Sequence, residues 1–271
     1  MKRLIYLLPF MVVPAQAGEF DPSPYAKQGC PADFFTQKAT VFNAVTICAT
    51  NQVPIDKLRH AANVAAQWLD NDQDGQVDQT GIVNELQGNR ATLVMSARGF
   101  SDQAFEQMDI DGIVGQDLSA EETNPDADRD ASQEEIHHLI LNAGWQGLFP
   151  NVFSDQSSQQ SELYRQWQTA EQKGYYFYDD PTCDDACKVT EFFYLATAAY
   201  SGSQADLFSD EMRLKTRKAL SDKLPGTVAI MESESYHYPN HIWPDGHYKH
   251  QNNIHIESVS YTHLRAHETT D

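Results

Sequence analysis

The sequence is short of positive charge and of long apolar segments. Its 271 residues include 19 Lys and Arg against 39 Asp and Glu, which gives a formal net charge of −20. A chain this acidic repels the phosphates of nucleic acids and of anionic membranes. Beyond residue 17, no apolar run is long enough to cross a bilayer. The composition therefore excludes nucleic acid as a partner and a membrane span, and it fits a protein that binds cations.

Cysteine is also scarce, and the only four are Cys30, Cys48, Cys183 and Cys187. In an oxidising compartment such residues form disulfides, and four cysteines allow three pairings. Closeness in the sequence favours Cys30 with Cys48 and Cys183 with Cys187. The alternative, a zinc site built from all four thiolates, is less favoured because thiols oxidise in such a compartment.

Both ends of the sequence are expected to lie outside the mature native protein. Residues 1–17 combine a basic start, an apolar stretch and small residues at Ala15 and Ala17, a pattern typical of a secretory signal peptide. This predicts a secreted or periplasmic protein. Residues 259–271 resemble a translated library-adapter tail, so we expect them to be non-native and exclude them from the functional interpretation.

Residues 130–144 predict a short helix with two polar residues on one face. Ser132 is a candidate N-cap and Gly144 a candidate stop. Glu134 and His138 are four residues apart and fall together on one face. The opposite face is apolar and consists of Ile136, Leu139, Ile140 and Ala143. This helix can pack on a core while it presents a carboxylate and an imidazole.

The stretch E-E-I-H-H at residues 134–138 resembles the H-E-x-x-H signature of zincin metallopeptidases, with Glu134 in place of the first histidine. The resemblance implies that Glu134 and His138 bind zinc or another divalent transition metal. It also implies that Glu135 is the catalytic general base acting on a metal-bound water. The alternative is a solvated acidic helix face that carries two histidines.

A third ligand is expected further along the chain. Residues 189–200 predict a helix that is apolar almost all round and therefore buried, so the lone carboxylate of Glu191 needs a compensating cation. The stretch E-F-F at residues 191–193 is similar to the start of the helix that carries the third ligand in lethal-factor-like gluzincins, and this resemblance makes Glu191 that ligand. Leu195 departs from the pattern, since the family has a second glutamate there. The alternative is a first-turn glutamate satisfied by backbone N–H groups.

The order of predicted elements suggests the fold class. We expect a strand at residues 39–50, a helix after Pro54, a strand at 91–97 and an irregular edge strand at 109–117 before the motif helix. This order is similar to the N-terminal lobe of zincins. It implies an α+β, two-lobe architecture, with a small mixed sheet and the motif helix in residues 18–144. Residues 145–258 would then form a mainly helical lobe, which includes a helix near residues 163–172.

The segment D-N-D-Q-D-G-Q-V-D at residues 70–78 resembles the front of an EF-hand calcium loop. In that pattern alternate residues supply the oxygen ligands, and Gly75 permits the sharp turn. The implied calcium ligands are Asp70, Asp72, Asp74, Gln76 and Asp78. Gly81 stands where the family has a bidentate glutamate. The alternative is an Asx-rich turn that binds no ion; the acidic residues 124–130 are too short to match the same pattern.

The segment from Ser233 to Glu257 is rich in tyrosine and histidine. Tyr236, His237 and Tyr238 are candidates for polarising a substrate carbonyl as oxyanion partners. The alternatives are a surface copper or zinc binder and ordinary loop aromatics, because the spacing does not discriminate between them.

Together these features predict a secreted, metal-dependent, peptidase-like hydrolase with one zinc site, a structural calcium loop and a peptide or protein substrate. The rival is a non-catalytic calcium-binding secreted or surface protein. A third option, a carboxylate-bridged dimetal site, would use Glu134-x-x-His137 or Glu135-x-x-His138. That site needs a second such motif, and the sequence offers none.

Overall fold

The structure is a computed structural model that describes residues 29–126 and 129–258. The predicted signal peptide and the predicted non-native tail lie outside the described residues. The fold is mixed α+β, as predicted, and contains a five-stranded mixed sheet in the order β4-β3-β2-β1-β5. Its strands are β1 (Phe35–Val41), β2 (Val45–Thr50), β3 (Thr92–Ser96), β4 (Gly115–Ser119) and β5 (Ile254–Ser258).

The helices of the described residues lie between β2 and β5 in the sequence. They are α1 (Ile55–Leu69), α2 (Thr80–Gly88), α3 (Asp102–Gln107), α4 (Ala131–Ile140), α5 (Gln146–Leu148), α6 (Pro150–Phe153), α7 (Glu162–Gln172), α8 (Asp185–Ser201), α9 (Arg217–Lys223) and α10 (Pro225–Met231). A π-helical turn, Leu141–Trp145, joins α4 to α5, and a 3₁₀ turn, Gln251–Asn253, precedes β5. Within the described ranges, no helix has the length and apolar character needed to cross a membrane.

The first predicted strand is in fact a hairpin. β1 and β2 pair antiparallel with Val41 opposite Val45, and the connecting residues Phe42 and Asn43 have φ of 49° and 52°. Left-handed backbone at two consecutive positions reverses the chain, so one strand over residues 39–50 cannot form. The alternating residues Ala39, Val41, Val45 and Ile47 are buried. The apolar pattern was thus correct for two short strands rather than one long strand.

The edge strand lies later than predicted. β4 spans Gly115–Ser119 and pairs parallel with β3, whereas residues 109–114 form turns around Gly112, whose φ is 71°. A residue in the left-handed region breaks extended pairing, so the apolar residues before Gly115 cannot join the ladder. The edge strand consequently ends close to the start of α4, and these two elements are in contact.

The motif helix begins and ends differently from the prediction. Its N-cap is Asp130 rather than Ser132, because the Asp130 carboxylate accepts a hydrogen bond from the backbone N–H of Ser132 at 3.1 Å. The helix also continues through Gly144 into the π-helical turn. A Cβ atom at Gly144 would lie 2.5 Å from Ile82 Cγ1. Gly144 therefore allows close packing of this helix on α2, and it does not act as a stop.

The long helix α8 forms the centre of the core. It contacts α4, α7 and α9, and the side chains of Phe192, Phe193 and Tyr194 are completely buried. Burial of three aromatic side chains contributes on the order of several kcal/mol and fixes the position of the residues next to them in the helix. Among those fixed positions is the second turn of α8, which carries Glu191.

Two disulfides tie down the chain, and their pairing is the one predicted. Cys30 is bonded to Cys48 in β2, and Cys183 is bonded to Cys187 in the first turn of α8. The second bond encloses the N-cap Asp184, whose carboxylate accepts from the N–H of Cys187 at 3.0 Å. It therefore stabilises the beginning of the helix that positions Glu191.

The last described strand returns to the first one. β5 pairs antiparallel with β1, with Ala39 opposite Ile256, and so completes the sheet on the side away from β4. Between α10 and β5 the chain runs along α1: Gln67 accepts hydrogen bonds from the N–H groups of Asp245 and Gly246 at 3.0 and 2.8 Å. Residues 240–258 are thus bound to the N-terminal part of the fold.

Candidate metal centre

Helices α4 and α8 bring three predicted ligands together. Glu134 and His138 lie one turn apart on α4, and Glu191 faces them from α8. One ligand atom from each residue lies within 4.8 Å of the other two, and His138 Nε2 is 3.7 Å from Glu191 Oε2. Two ligands on a tetrahedral zinc ion with bonds of about 2.1 Å are separated by about 3.4 Å. The three donors are therefore spaced to share one ion.

The imidazole of His138 supports a metal at this position. It is buried against the ring of Tyr194, and its Nε2 atom has no hydrogen-bond partner among the described residues. A buried polar atom without a partner is unfavourable by about 1–3 kcal/mol. A cation between His138 and the two carboxylates would satisfy this nitrogen, so the donor set fits a divalent metal.

Burial changes the protonation of the carboxyl groups in the cluster. Burial first, and then the charges of Glu191 and Asp117, raise the pKa of Glu135 to about 8. Burial likewise raises the pKa of Glu191 to about 7. The pKa of His138 falls to about 3, first through burial and then through the charge of Arg129. The imidazole is thus neutral, which is the form that binds metals.

Arg129 is a further member of the cluster that the sequence analysis did not single out. Its guanidinium Nη1 contacts Glu134 Oε2, immediately before the first turn of α4. Its charge lowers the pKa of Glu135 and of Glu191. The signal in the sequence is a single basic residue within the acidic stretch 124–135.

Tyr178 is a second residue that the sequence analysis left without a role. Its pKa is raised to about 12 by burial and then by the charge of Glu191. It lies in the loop before α8, and it lines an open cleft of about 610 Å³ together with Glu211 and Arg213. A half-buried phenol thus lies close enough to the ligand from α8 for the charge of Glu191 to affect it.

The N-terminus of the motif helix is held by a buried pair. Asp130 Oδ2 lies 2.6 Å from His60 Nε2 on α1, and Asp130 Oδ1 accepts hydrogen bonds from the N–H groups of Ser132 and Asn124. Burial alone would raise the pKa of Asp130, but the hydrogen bonds from His60 and Ser132 hold it below the ordinary value of 3.8. The charged form of Asp130 therefore stabilises the folded state.

We expect Asp130→Ala to lower the free energy of unfolding by about 1–3 kcal/mol near neutral pH, because the variant loses the cap and the partner of His60. A lowered folded-state pKa means that the stabilisation is present above pH 3.8 and is lost as the pH falls through the still lower folded pKa. Urea unfolding at several pH values measures this difference. Asp56→Ala, at an exposed residue in the first turn of α1, is the matched control. An equal loss in both variants would contradict the role given to Asp130.

The predicted calcium loop brings three of its carboxylates together. Ligand oxygens of Asp70, Asp72 and Asp78 lie within 4.8 Å of one another. Asp70 also accepts hydrogen bonds from the N–H groups of Asp74 and Gly75, which hold the loop in a tight turn. Burial, and then the neighbouring charges of Asp72 and Asp70, raise the pKa of Asp78 to about 6. Three carboxylate oxygens at this spacing are close enough to share one cation.

The two other predicted calcium ligands, Asp74 and Gln76, do not belong to this group of three carboxylates. The exposed carboxylate of Asp74 is not part of the group, and it accepts hydrogen bonds from the backbone and side-chain nitrogens of Gln76 at 2.8 and 3.2 Å. The amide group of Gln76 is thereby directed at Asp74. Gly81 is the second residue of α2 and packs against Leu148, where a Cβ atom would lie 3.1 Å from the Leu148 methyl carbons.

The three candidate oxyanion residues make their contacts with residues other than Glu134, His138 and Glu191. Tyr238 is buried, and its hydroxyl lies 2.7 Å from both Thr197 Oγ1 and His137 Nε2. Tyr236 packs on Phe149 and Phe153. His237 is exposed and lines a cleft of about 430 Å³ beside the calcium loop. A buried hydroxyl that is already hydrogen-bonded is not free to meet a substrate, so Tyr238 has a structural role in the core.

No model of a known protein family matches this chain, and neither a curated protein nor a solved structure is significantly similar to it. The chemical interpretation therefore depends on the geometry described above.

Proposed function

We propose that this protein is a metal-dependent hydrolase of peptide-like substrates. Its single divalent transition metal, for which zinc is the first candidate, is held by Glu134, His138 and Glu191. The observation that carries the proposal is the meeting of three donor atoms from two helices within 4.8 Å. One of them is a buried nitrogen that has no hydrogen-bond partner in the part of the chain that the structure describes. When bound, such an ion lowers the pKa of a coordinated water and polarises a carbonyl group.

Glu135 is the general base in this proposal. It lies beside the ligand Glu134 on α4, in a partly buried position. Its carboxylate would accept a proton from the attacking water and later pass it to the leaving nitrogen. With its pKa raised to about 8 the metal-free group is mostly protonated near neutral pH, so the base role requires the positive charge of a bound metal ion to lower this pKa.

The ligand set bears on which metal is bound. Two carboxylates and one imidazole are a harder and more anionic set than two imidazoles and one carboxylate. Manganese and calcium should compete with zinc more effectively at such a site. A bound water should also be less acidic there, so we expect slow turnover.

Other features of the chain bear on the location of the proposed enzyme and on a second bound ion. Two disulfides and the N-terminal pattern support a secreted or periplasmic location. The loop of Asp70, Asp72 and Asp78 would hold a structural calcium ion, apart from the catalytic metal.

A second candidate function is a non-catalytic calcium-binding secreted or surface protein. The observation that favours it is the acidic group of Asp70, Asp72 and Asp78, which does not depend on the residues of α4 and α8. In this alternative, Glu134, His138 and Glu191 form a buried polar cluster that binds no metal.

Metal analysis of the purified protein tests the proposal. After incubation with zinc and calcium followed by desalting, we expect one equivalent of zinc that is lost in Glu134→Ala, His138→Ala and Glu191→Ala. Asp72→Asn is the matched control, since it alters the other acidic group and should keep the zinc. Calcium without zinc in the unaltered protein would favour the second candidate and reject the first.

A further inference from the structure

We infer that Arg129 is an internal counter-cation that competes with the metal ion for Glu134. This inference rests on the metal centre of the proposed function. It adds that the centre exists in two states: one in which the guanidinium is paired with Glu134, and one in which the metal is bound and Arg129 has moved away.

The contact between Arg129 and Glu134 involves the ligand atom itself. Arg129 Nη1 meets Glu134 Oε2, and the side chains are 33% and 11% exposed, respectively. The pair is therefore mostly screened from water, where an ion pair is stronger than at the surface. Glu134 cannot give its full charge to a metal while it holds this guanidinium.

Two cations cannot occupy this space together. A divalent ion and a guanidinium that share one carboxylate repel each other strongly in a site shielded from water. Glu134 is held in the first turn of a buried helix, whereas Arg129 lies before that helix and has a long, flexible and partly exposed side chain. Arg129 is therefore the group that moves when the metal binds, and the energy of its ion pair is subtracted from the metal affinity.

Calorimetric titration with zinc and with manganese tests this inference on the full chain. Arg129→Met removes the charge and keeps the length of the side chain. We expect Arg129→Met to bind zinc at least about tenfold more tightly than the unaltered protein, and Arg129→Lys to be intermediate, because lysine keeps the charge without the planar fork. Arg98→Met is the matched control, since Arg98 pairs with Glu121 at an exposed site, and it should leave the affinity unchanged.

Thermal unfolding gives a second test, in which the substitution should change two quantities in opposite directions: the melting temperature without zinc and the rise in melting temperature that zinc produces. The metal-free Arg129→Met variant should melt at a lower temperature than the unaltered protein, because its carboxylates lose their counter-charge. Added zinc should raise its melting temperature by more than it raises that of the unaltered protein. A circular dichroism spectrum checks that each variant is folded. If Arg129→Met is not folded, Arg129→Lys takes its place in both measurements.

Equal zinc affinities in Arg129→Met and the unaltered protein would overturn the inference and leave the proposed function standing. Weaker binding in Arg129→Met would also overturn it, because Arg129 would then orient Glu134 for the metal. Absence of zinc binding in all variants would reject the metal centre itself. Zinc binding in Arg129→Met alone would be the strongest support for competition.

Discussion

Replacing Glu135 by glutamine should lower the rate of hydrolysis by about two to four orders of magnitude. Glutamine has nearly the same shape as glutamate but cannot accept a proton from the attacking water. Because Glu135 is not one of the three converging ligands, the variant should keep its full equivalent of zinc. A large loss of rate without loss of metal would separate the base from the ligands.

The measurement is the release of fragments from a fluorescently labelled unstructured protein by the zinc-loaded enzyme, together with metal analysis of the same samples. Glu121→Gln, at an exposed surface pair, is the matched control and should retain full activity. Glu134→Ala should lose both metal and activity. If Glu135→Gln remained fully active while the unaltered protein hydrolysed the substrate, another group would have to be the base.

Removing calcium should lower the free energy of unfolding by about 2–4 kcal/mol, which is the stabilisation given by a ligand at about 100 to 1,000 times its dissociation constant. Without the ion, three carboxylates with oxygens within 4.8 Å of one another repel. The loop they form also anchors a distant part of the chain, since the Tyr248 hydroxyl donates to Asp70 Oδ2 at 2.5 Å and the Asn71 carboxamide accepts from the N–H of His241 at 2.7 Å.

Urea unfolding in excess calcium and in excess chelator measures this effect. Asp72→Asn should abolish most of the difference between the two conditions. Asp74→Asn is the informative control, because the EF-hand resemblance makes Asp74 a ligand while the structure leaves it exposed and outside the acidic group. Equal losses in both variants would favour the full EF-hand arrangement. No effect of calcium on the unaltered protein would leave the loop as an Asx-rich turn.

Local patterns predicted the elements of this fold better than their ends. The apolar periodicity of residues 55–69 and the buried run 92–96 were enough to find α1 and β3. The hairpin of β1 and β2 was missed because its turn contains Phe42 and Asn43 in left-handed backbone, without the glycine that usually marks such turns. The end of α4 was misplaced because Gly144 serves packing against Ile82, and periodicity does not reveal that contact.

The candidate site shows the same limit. The spacing of Glu134 and His138 follows from helix geometry, and Glu191 was found because a lone charge in an apolar helix needs a partner. Arg129 was missed because its pairing with Glu134, five residues further on, crosses the start of α4, where helical spacing does not apply. Tyr178 was missed because its nearness to Glu191 depends on how the loop before α8 folds, and no local pattern encodes that. The pairing of β5 with β1 was missed for the same reason, since it joins residues more than 200 positions apart.

The position of β5 in the sheet has a consequence for biosynthesis. Residues 254–258 emerge from the ribosome after every other described element, yet they pair with β1, which emerges first among the strands. Until then β1 has an open edge, a form that invites pairing with other chains. Completion of the sheet, and of the scaffold on which α1 and α4 rest, therefore waits until residues 254–258 have been synthesised.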